Sequence, residues 1–252
     1  MIVPRSAESS SAVTSSRKKV LRPSSQEDVN RFLQQARSTA LPVRRDHCAR
    51  LVFGMDATAS REPLWDRACH IQAQMFEATA SMGGLEIQLA YYRGYGEFKA
   101  APWAAEAGVL QKRMTSIRCA AGQTQIARLL KHTLGQARTA QGAISALVFV
   151  GDCMEEDPDQ LAKLSGELGI LGVPVFLFQD GADPTAAKTF SHIARLTRGA
   201  HCRFDGSSAA QLRDLLCAVA VYAAGGHKAL VDHGRRCGGE VLRLIKQLDA
   251  RD

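Results

Sequence analysis

Short apolar segments along the middle of the chain predict a series of strands. Residues 49–55 and 144–150 are almost continuously apolar, which is typical of parallel strands that are buried on both faces. Residues 85–92, 173–178 and 201–204 predict three further strands, and a glycine-containing turn after residue 92 predicts a short partner strand near Phe98.

Between the strands, apolar residues recur at intervals of three and four, which predicts amphipathic helices. The predicted helices cover residues 63–82, 105–117, 124–138, a segment from residue 158, residues 184–199 and a last segment around residues 212–219. Asp157 and Asp183 each precede a proline, which is the usual order of an N-cap and a first helical turn. The alternation of strands and helices indicates an α/β fold with a Rossmann-like, mostly parallel central sheet and helices on both faces.

The rest of the chain predicts extensions on either side of one domain at residues 48–224. Residues 1–23 form a Ser-rich basic tail that we expect to be disordered, because they contain too few large apolar side chains to offset the entropy of ordering. Residues 24–47 predict a short helix and linker, opened by a capping box of Ser24 and Glu27. Residues 225–252 predict an amphipathic helix that packs on its own domain or contacts a partner.

The net charge of +7 lies mostly in the two ends of the chain. The sequence therefore predicts at most weak nucleic-acid binding, through the basic N-terminal tail. No apolar stretch is long enough for a membrane span, and the first residues lack the apolar run of a secretory signal. We therefore expect a cytoplasmic protein whose seven widely spaced cysteines, none of them in a CxxC pair, are reduced thiols.

Three predicted loops contain oxygen-bearing side chains that point to a metal site. Asp56, Thr58 and Ser60 follow the first strand, Thr124 opens a helix, and Asp152 follows the strand at residues 144–150. Because parallel strands end at one edge of a sheet, we expect these side chains to converge there. Carboxylate and hydroxyl oxygens are ligands for Mg²⁺ or Mn²⁺, and an acidic group from a partner can fill an open position. Each residue taken singly can instead be a helix cap or a turn residue.

The same residues resemble a known family, the von Willebrand factor A (VWA) and integrin I domains with their metal-ion-dependent adhesion site. The sequences DATAS at 56–60, AAGQTQI at 120–126 and FVGD at 149–152 match its DxSxS, Thr and Asp positions, with Thr58 where the family usually has Ser. The resemblance implies direct ligation by Thr58 and Ser60. It implies ligation by Thr124 directly or through water, and by Asp56 and Asp152 largely through water.

The resemblance also implies a function without catalysis. The bound cation would coordinate an Asp or Glu of a partner protein. Intracellular members of the family commonly act in multiprotein assemblies, often beside ATPases. On this hypothesis, the acidic residues 155–157 are expected to form a solvated loop rather than a second metal site.

Two other functions remain open at the sequence level. A phosphotransferase that resembles haloacid dehalogenase-type enzymes would use Asp56 as nucleophile, Asp152 and Glu156 at the metal, and Lys131 to neutralise the phosphoryl group. Lys131, however, falls on the polar face of its predicted helix, and no cap domain is evident. A scaffold that needs no metal is the third hypothesis. The chain has no P-loop motif, no GxSxG and no HExxH, so these enzyme classes are disfavoured.

Overall fold

A computed structural model describes residues 49–61, 85–139 and 144–204, together with residues 214, 217–221, 223, 229 and 232. The predicted tail at 1–23, the segment 24–47 and the helix at 63–82 lie outside the described residues, as does most of the predicted helix at 225–252. Among the described residues, no helix is both long and apolar enough to cross a bilayer.

The described strands form one six-stranded sheet. They are β1 (Ala49–Asp56), β2 (Leu85–Arg93), β3 (Glu97–Ala100), β4 (Ile144–Gly151), β5 (Val175–Asp180) and β6 (Ala200–Phe204). Their order is β3-β2-β1-β4-β5-β6, and every neighbouring pair is parallel except β2 and β3, which form an antiparallel hairpin. The predicted α/β fold with a mostly parallel sheet is confirmed, and β1 and β4 lie side by side at its centre.

Four described helices connect these strands. They are α1 (Ala107–Thr115), α2 (Ile126–Ala137), α3 (Pro158–Ile170) and α4 (Pro184–Leu196), and a 3₁₀ turn at Ala59–Arg61 follows β1. Asp157 and Asp183 cap α3 and α4 as predicted, since their carboxylates accept from the amides of Asp159 and Ala186. Residues 214, 217–221, 223, 229 and 232 are also helical.

Apolar side chains fill both faces of the sheet. Strand β1 shows why, because alternate residues point to opposite faces: Leu51 and Phe53 belong to one cluster and Val52 to the other. The first cluster is covered by α1 and the helical residues 217–221 and 223, and the second by α2, α3 and α4. Gly54 lets α2 approach closely, because a Cβ there would lie 2.3 Å from a methyl carbon of Leu129.

The predicted helix start at Thr124 is wrong. Helix α2 begins at Ile126, and its N-cap is Gln125, whose side chain makes no capping bond. The capping group comes instead from another loop, as described below, so local sequence does not reveal where this helix begins. Helix α4 likewise ends at Leu196, before the predicted Gly199.

Candidate metal centre

The two candidate aspartates meet where the central strands end. Asp56 is the last residue of β1, and Asp152 directly follows β4. The parallel pairing of these strands brings both ends to one edge of the sheet. There is no room for a side chain at Gly151, because a Cβ there would lie 2.6 Å from the Phe149 ring and 3.6 Å from the Cβ of Asp56.

Asp56 is fully buried, and both of its carboxylate oxygens accept hydrogen bonds. The Thr58 amide donates to Oδ1 at 2.8 Å, and the Tyr92 hydroxyl donates to Oδ2 at 3.0 Å. Burial raises the pKa of Asp56, and the nearby Asp152 carboxylate adds to the rise, while the hydrogen bonds from Thr58 and Tyr92 oppose it. Among the described residues, hydrogen bonds orient this carboxylate, and no basic side chain pairs with it.

The loop after β1 brings two hydroxyl groups together. The Ala57 amide donates to the Tyr92 carbonyl at 2.9 Å, and the Ala57 carbonyl accepts from Ala120 at 3.1 Å, so neighbouring segments hold the loop on both sides. The hydroxyl oxygens of Thr58 and Ser60 lie 3.1 Å apart. Thr58 is buried and Ser60 is exposed, so this pair reaches from the interior to the surface.

Asp152 has an oxygen that suits a cation. Its Oδ1 is buried and has no hydrogen-bond partner among the described residues. One carboxylate oxygen each from Asp56 and Asp152, together with Cys153 Sγ, form a group of atoms that all lie within 4.8 Å of one another. A buried carboxylate oxygen without a partner is costly. A divalent cation would satisfy this oxygen, so the residues fit such an ion.

Thr124 is buried and forms hydrogen bonds with the loop that carries Asp152. Its hydroxyl accepts from the Glu155 amide at 3.1 Å, and its own amide donates to Glu155 Oε2 at 3.3 Å. These reciprocal bonds hold Thr124 against Glu155, which follows Asp152 by three residues. Among the described residues, Thr124 makes no hydrogen bond with Asp56 or Asp152, so its part in binding an ion stays a prediction.

Glu156 has a role that the sequence did not reveal. Its carboxylate accepts from the amides of Ile126 and Ala127, the latter at 2.8 Å, and so caps the N-terminus of α2. The predicted solvated loop at residues 155–157 is therefore wrong for Glu156, which is partly buried, although Glu155 and Asp157 are exposed. No local spacing predicts this contact, since the bonded residues lie about thirty positions apart.

Cys153 and Tyr92 are two more site residues that sequence analysis missed. Burial raises the pKa of Cys153 to about 12, and the carboxylates of Asp152 and Asp56 add to the rise. Burial also raises the pKa of Tyr92 well above its ordinary value, and the Asp56 charge adds to that rise. The sequence signal for Cys153 is its position directly after Asp152, a predicted ligand. The absence of a CxxC pair gives no such signal.

A buried ion pair lies at the same edge of the sheet. Arg61, only 2% exposed at the end of the 3₁₀ turn, donates to the carboxylate of Asp180 at the end of β5. Burial raises the pKa of Asp180, and Asp152 adds to the rise, while Arg61 opposes it. The pair therefore connects the loop of Thr58 and Ser60 to β5.

The described residues at this edge give no support to the phosphotransferase alternative. Lys131 is exposed on α2, as its helical position predicts. Both oxygens of Asp56, the proposed nucleophile, are engaged by hydrogen bonds inside a fully buried side chain.

Known structures similar to this chain contain VWA domains. The sequence matches no protein-family model and no curated protein. A von Willebrand factor type A structure from Catenulispora acidiphila has a TM-score of 0.56 at 16% identity, covering 69% of this chain and 43% of that chain. The VWA domain of SpRpn10 has a TM-score of 0.54 at 11% identity, with coverages of 72% and 98%.

A third similar structure is the conserved hypothetical protein BatB from Bacteroides thetaiotaomicron. Its TM-score is 0.54 at 13% identity, and the match covers 68% of this chain and 98% of that chain. At such identities the similarity concerns the fold, and the chain has a VWA-like fold.

Proposed function

We propose that this domain is a non-enzymatic protein-binding module that uses a divalent cation, Mg²⁺ or Mn²⁺. The cation would be held by side chains from three loops: Asp56, Thr58, Ser60, Thr124 and Asp152. The observation that supports this most strongly is the buried Asp152 oxygen, which has no hydrogen-bond partner in the described part of the chain and lies close to the Asp56 carboxylate. When bound, the ion would supply a Lewis-acidic position for a carboxylate of the partner.

The described contacts support a division of tasks among these residues. Tyr92 and the Thr58 amide fix the rotamer of Asp56, so its charge is already directed before an ion arrives. The Asp56 and Asp152 charges repel each other, which a cation would relieve. The exposed Ser60 gives the site access to solvent, from which a partner can approach.

The partner that fits this site is a protein that presents an Asp or Glu side chain. We expect the two proteins to belong to a larger assembly. A carboxylate completes the coordination of a hard cation better than a neutral group does. The VWA-like fold and the pattern of site residues both favour binding over catalysis. A cytoplasmic location, and the weak attraction of nucleic acid to the basic tail, stay predictions from the sequence.

Affinity capture from lysate, with Mn²⁺ or with EDTA, tests the proposal. We expect the wild-type chain to retain a set of proteins in Mn²⁺ that EDTA releases and that Asp152→Asn fails to retain. Asp159→Asn is the matched control, since Asp159 is an exposed acidic residue on α3. Equal retention in EDTA would contradict the proposal and favour a scaffold that needs no metal.

An enzymatic assay tests the absence of catalysis. Incubation of the chain with p-nitrophenyl phosphate and Mg²⁺ should give no turnover above that of a buffer blank. Turnover that Asp56→Asn abolishes would contradict a purely binding function and restore the phosphotransferase hypothesis.

A further inference from the structure

Cys153 places a sulfur atom beside the oxygen ligands of the candidate metal centre. Its Sγ lies within 4.8 Å of a carboxylate oxygen of Asp56 and of one of Asp152. Cys153 directly follows Asp152 on the loop after β4, and its side chain is partly buried. The five-residue oxygen set derived from the sequence contains no sulfur, so Cys153 changes the chemistry available at this edge.

The distances suit a common ion. Protein ligands lie about 2.0–2.3 Å from Zn²⁺, with sulfur at the longer end of that range. In a tetrahedral site, two atoms bound to one such ion are therefore about 3.3–3.8 Å apart. The three ligand atoms all lie within 4.8 Å of one another, so side-chain rotations that draw them closer together would bring all three onto one ion.

A second observation at the same place is the Oδ1 oxygen of Asp152, whose carboxylate also interacts with the Cys153 thiol. It is buried, and no described residue donates a hydrogen bond to it. Arg61, a described basic side chain on this edge, is already engaged with Asp180. A cation that binds this oxygen would therefore lie within reach of Cys153.

We infer that Cys153 is a ligand of this centre and makes it favour a borderline metal ion such as Zn²⁺ or Co²⁺ over Mg²⁺. The inference rests on the proposed cation site and specifies its metal. Thiolate is a soft ligand that binds zinc and cobalt but not the hard magnesium ion. On coordination the sulfur–metal bond replaces the sulfur–hydrogen bond, and the thiol proton passes to solvent.

Titration of the full chain with Co²⁺, Zn²⁺ and Mg²⁺ separately tests this inference. We expect Co²⁺ to produce a near-ultraviolet thiolate-to-metal charge-transfer band that disappears in Cys153→Ser. The same variant should weaken Zn²⁺ binding by about tenfold or more, a loss common when a contact at a metal site is removed. Its affinity for Mg²⁺ should be unchanged, because serine leaves the oxygen ligands in place.

Cys119→Ser is the matched control, since Cys119 is also a partly buried cysteine. It should keep both the cobalt band and the zinc affinity of the wild type, which separates Cys153 from thiols elsewhere in the chain. Asp152→Asn should lose the cobalt band as well, because the inferred site needs both residues.

The outcomes distinguish this inference from the proposed function. If Mg²⁺ binds but Cys153→Ser changes neither the cobalt spectrum nor the preference for zinc, the sulfur ligand is wrong and the oxygen site stands. If no divalent ion binds to the wild type, the inference and the proposed function both fail.

Discussion

Single residues at the candidate centre depend on contacts that lie far apart in the chain. Asp56 and Asp152 could be predicted as neighbours because each stands at the end of a buried strand, and the structure brings them together. Tyr92 could not be predicted as a site residue, because its partner Asp56 lies 36 positions away in the chain. That these residues bind a cation stays a prediction.

Replacement of Tyr92 by phenylalanine tests its contact with Asp56. The variant removes the hydroxyl that donates to Asp56 Oδ2, so a buried carboxylate loses one of its described donors. We expect the free energy of unfolding in EDTA to fall by about 1–3 kcal/mol, measured by chemical denaturation. Tyr91→Phe, on the same strand, removes a hydroxyl that bonds to no described residue and should cost less. An equal loss in both variants would contradict a specific role for the Tyr92 hydroxyl.

At the scale of elements, the loop after β4 organises the start of α2. Strand and helix positions could be predicted from apolar periodicity, and the proline caps of α3 and α4 from two adjacent residues each. The start of α2 could not, because its amides bond to Glu156, about thirty residues further along the chain. A capping group that comes from a different loop cannot be recognised from the spacing of residues near the helix start.

Removal of the Glu156 carboxylate tests this capping contact. Glu156→Ala deprives the first amides of α2 of their acceptor and removes a negative charge that favours a helix N-terminus. We expect the free energy of unfolding to fall by about 0.5–2 kcal/mol, measured by denaturant titration. Glu106→Ala is the control, since Glu106 stands at the N-cap of α1 without a side-chain capping bond. A loss in the control as large as in Glu156→Ala would refute the specific cap.

On the scale of the whole molecule, a central parallel sheet creates the candidate centre. The fold class could be predicted from the alternation of strands and helices. The order of the strands could not, because it depends on long-range pairing that periodicity does not encode. That order places β1 beside β4, and the carboxylates at their ends therefore meet. The same edge receives Arg61 and Asp180, which connect the loop of Thr58 and Ser60 to β5.

Calorimetric and thermal titration with Mn²⁺ tests the central claim most directly. We expect one ion to bind per chain, with a gain in folding stability of about 2.7 kcal/mol when free Mn²⁺ is about a hundredfold above its dissociation constant. The double variant Asp56→Ala with Asp152→Ala should show neither the heat of binding nor the rise in melting temperature. No heat from the wild type, or the same rise in the double variant, would contradict the account.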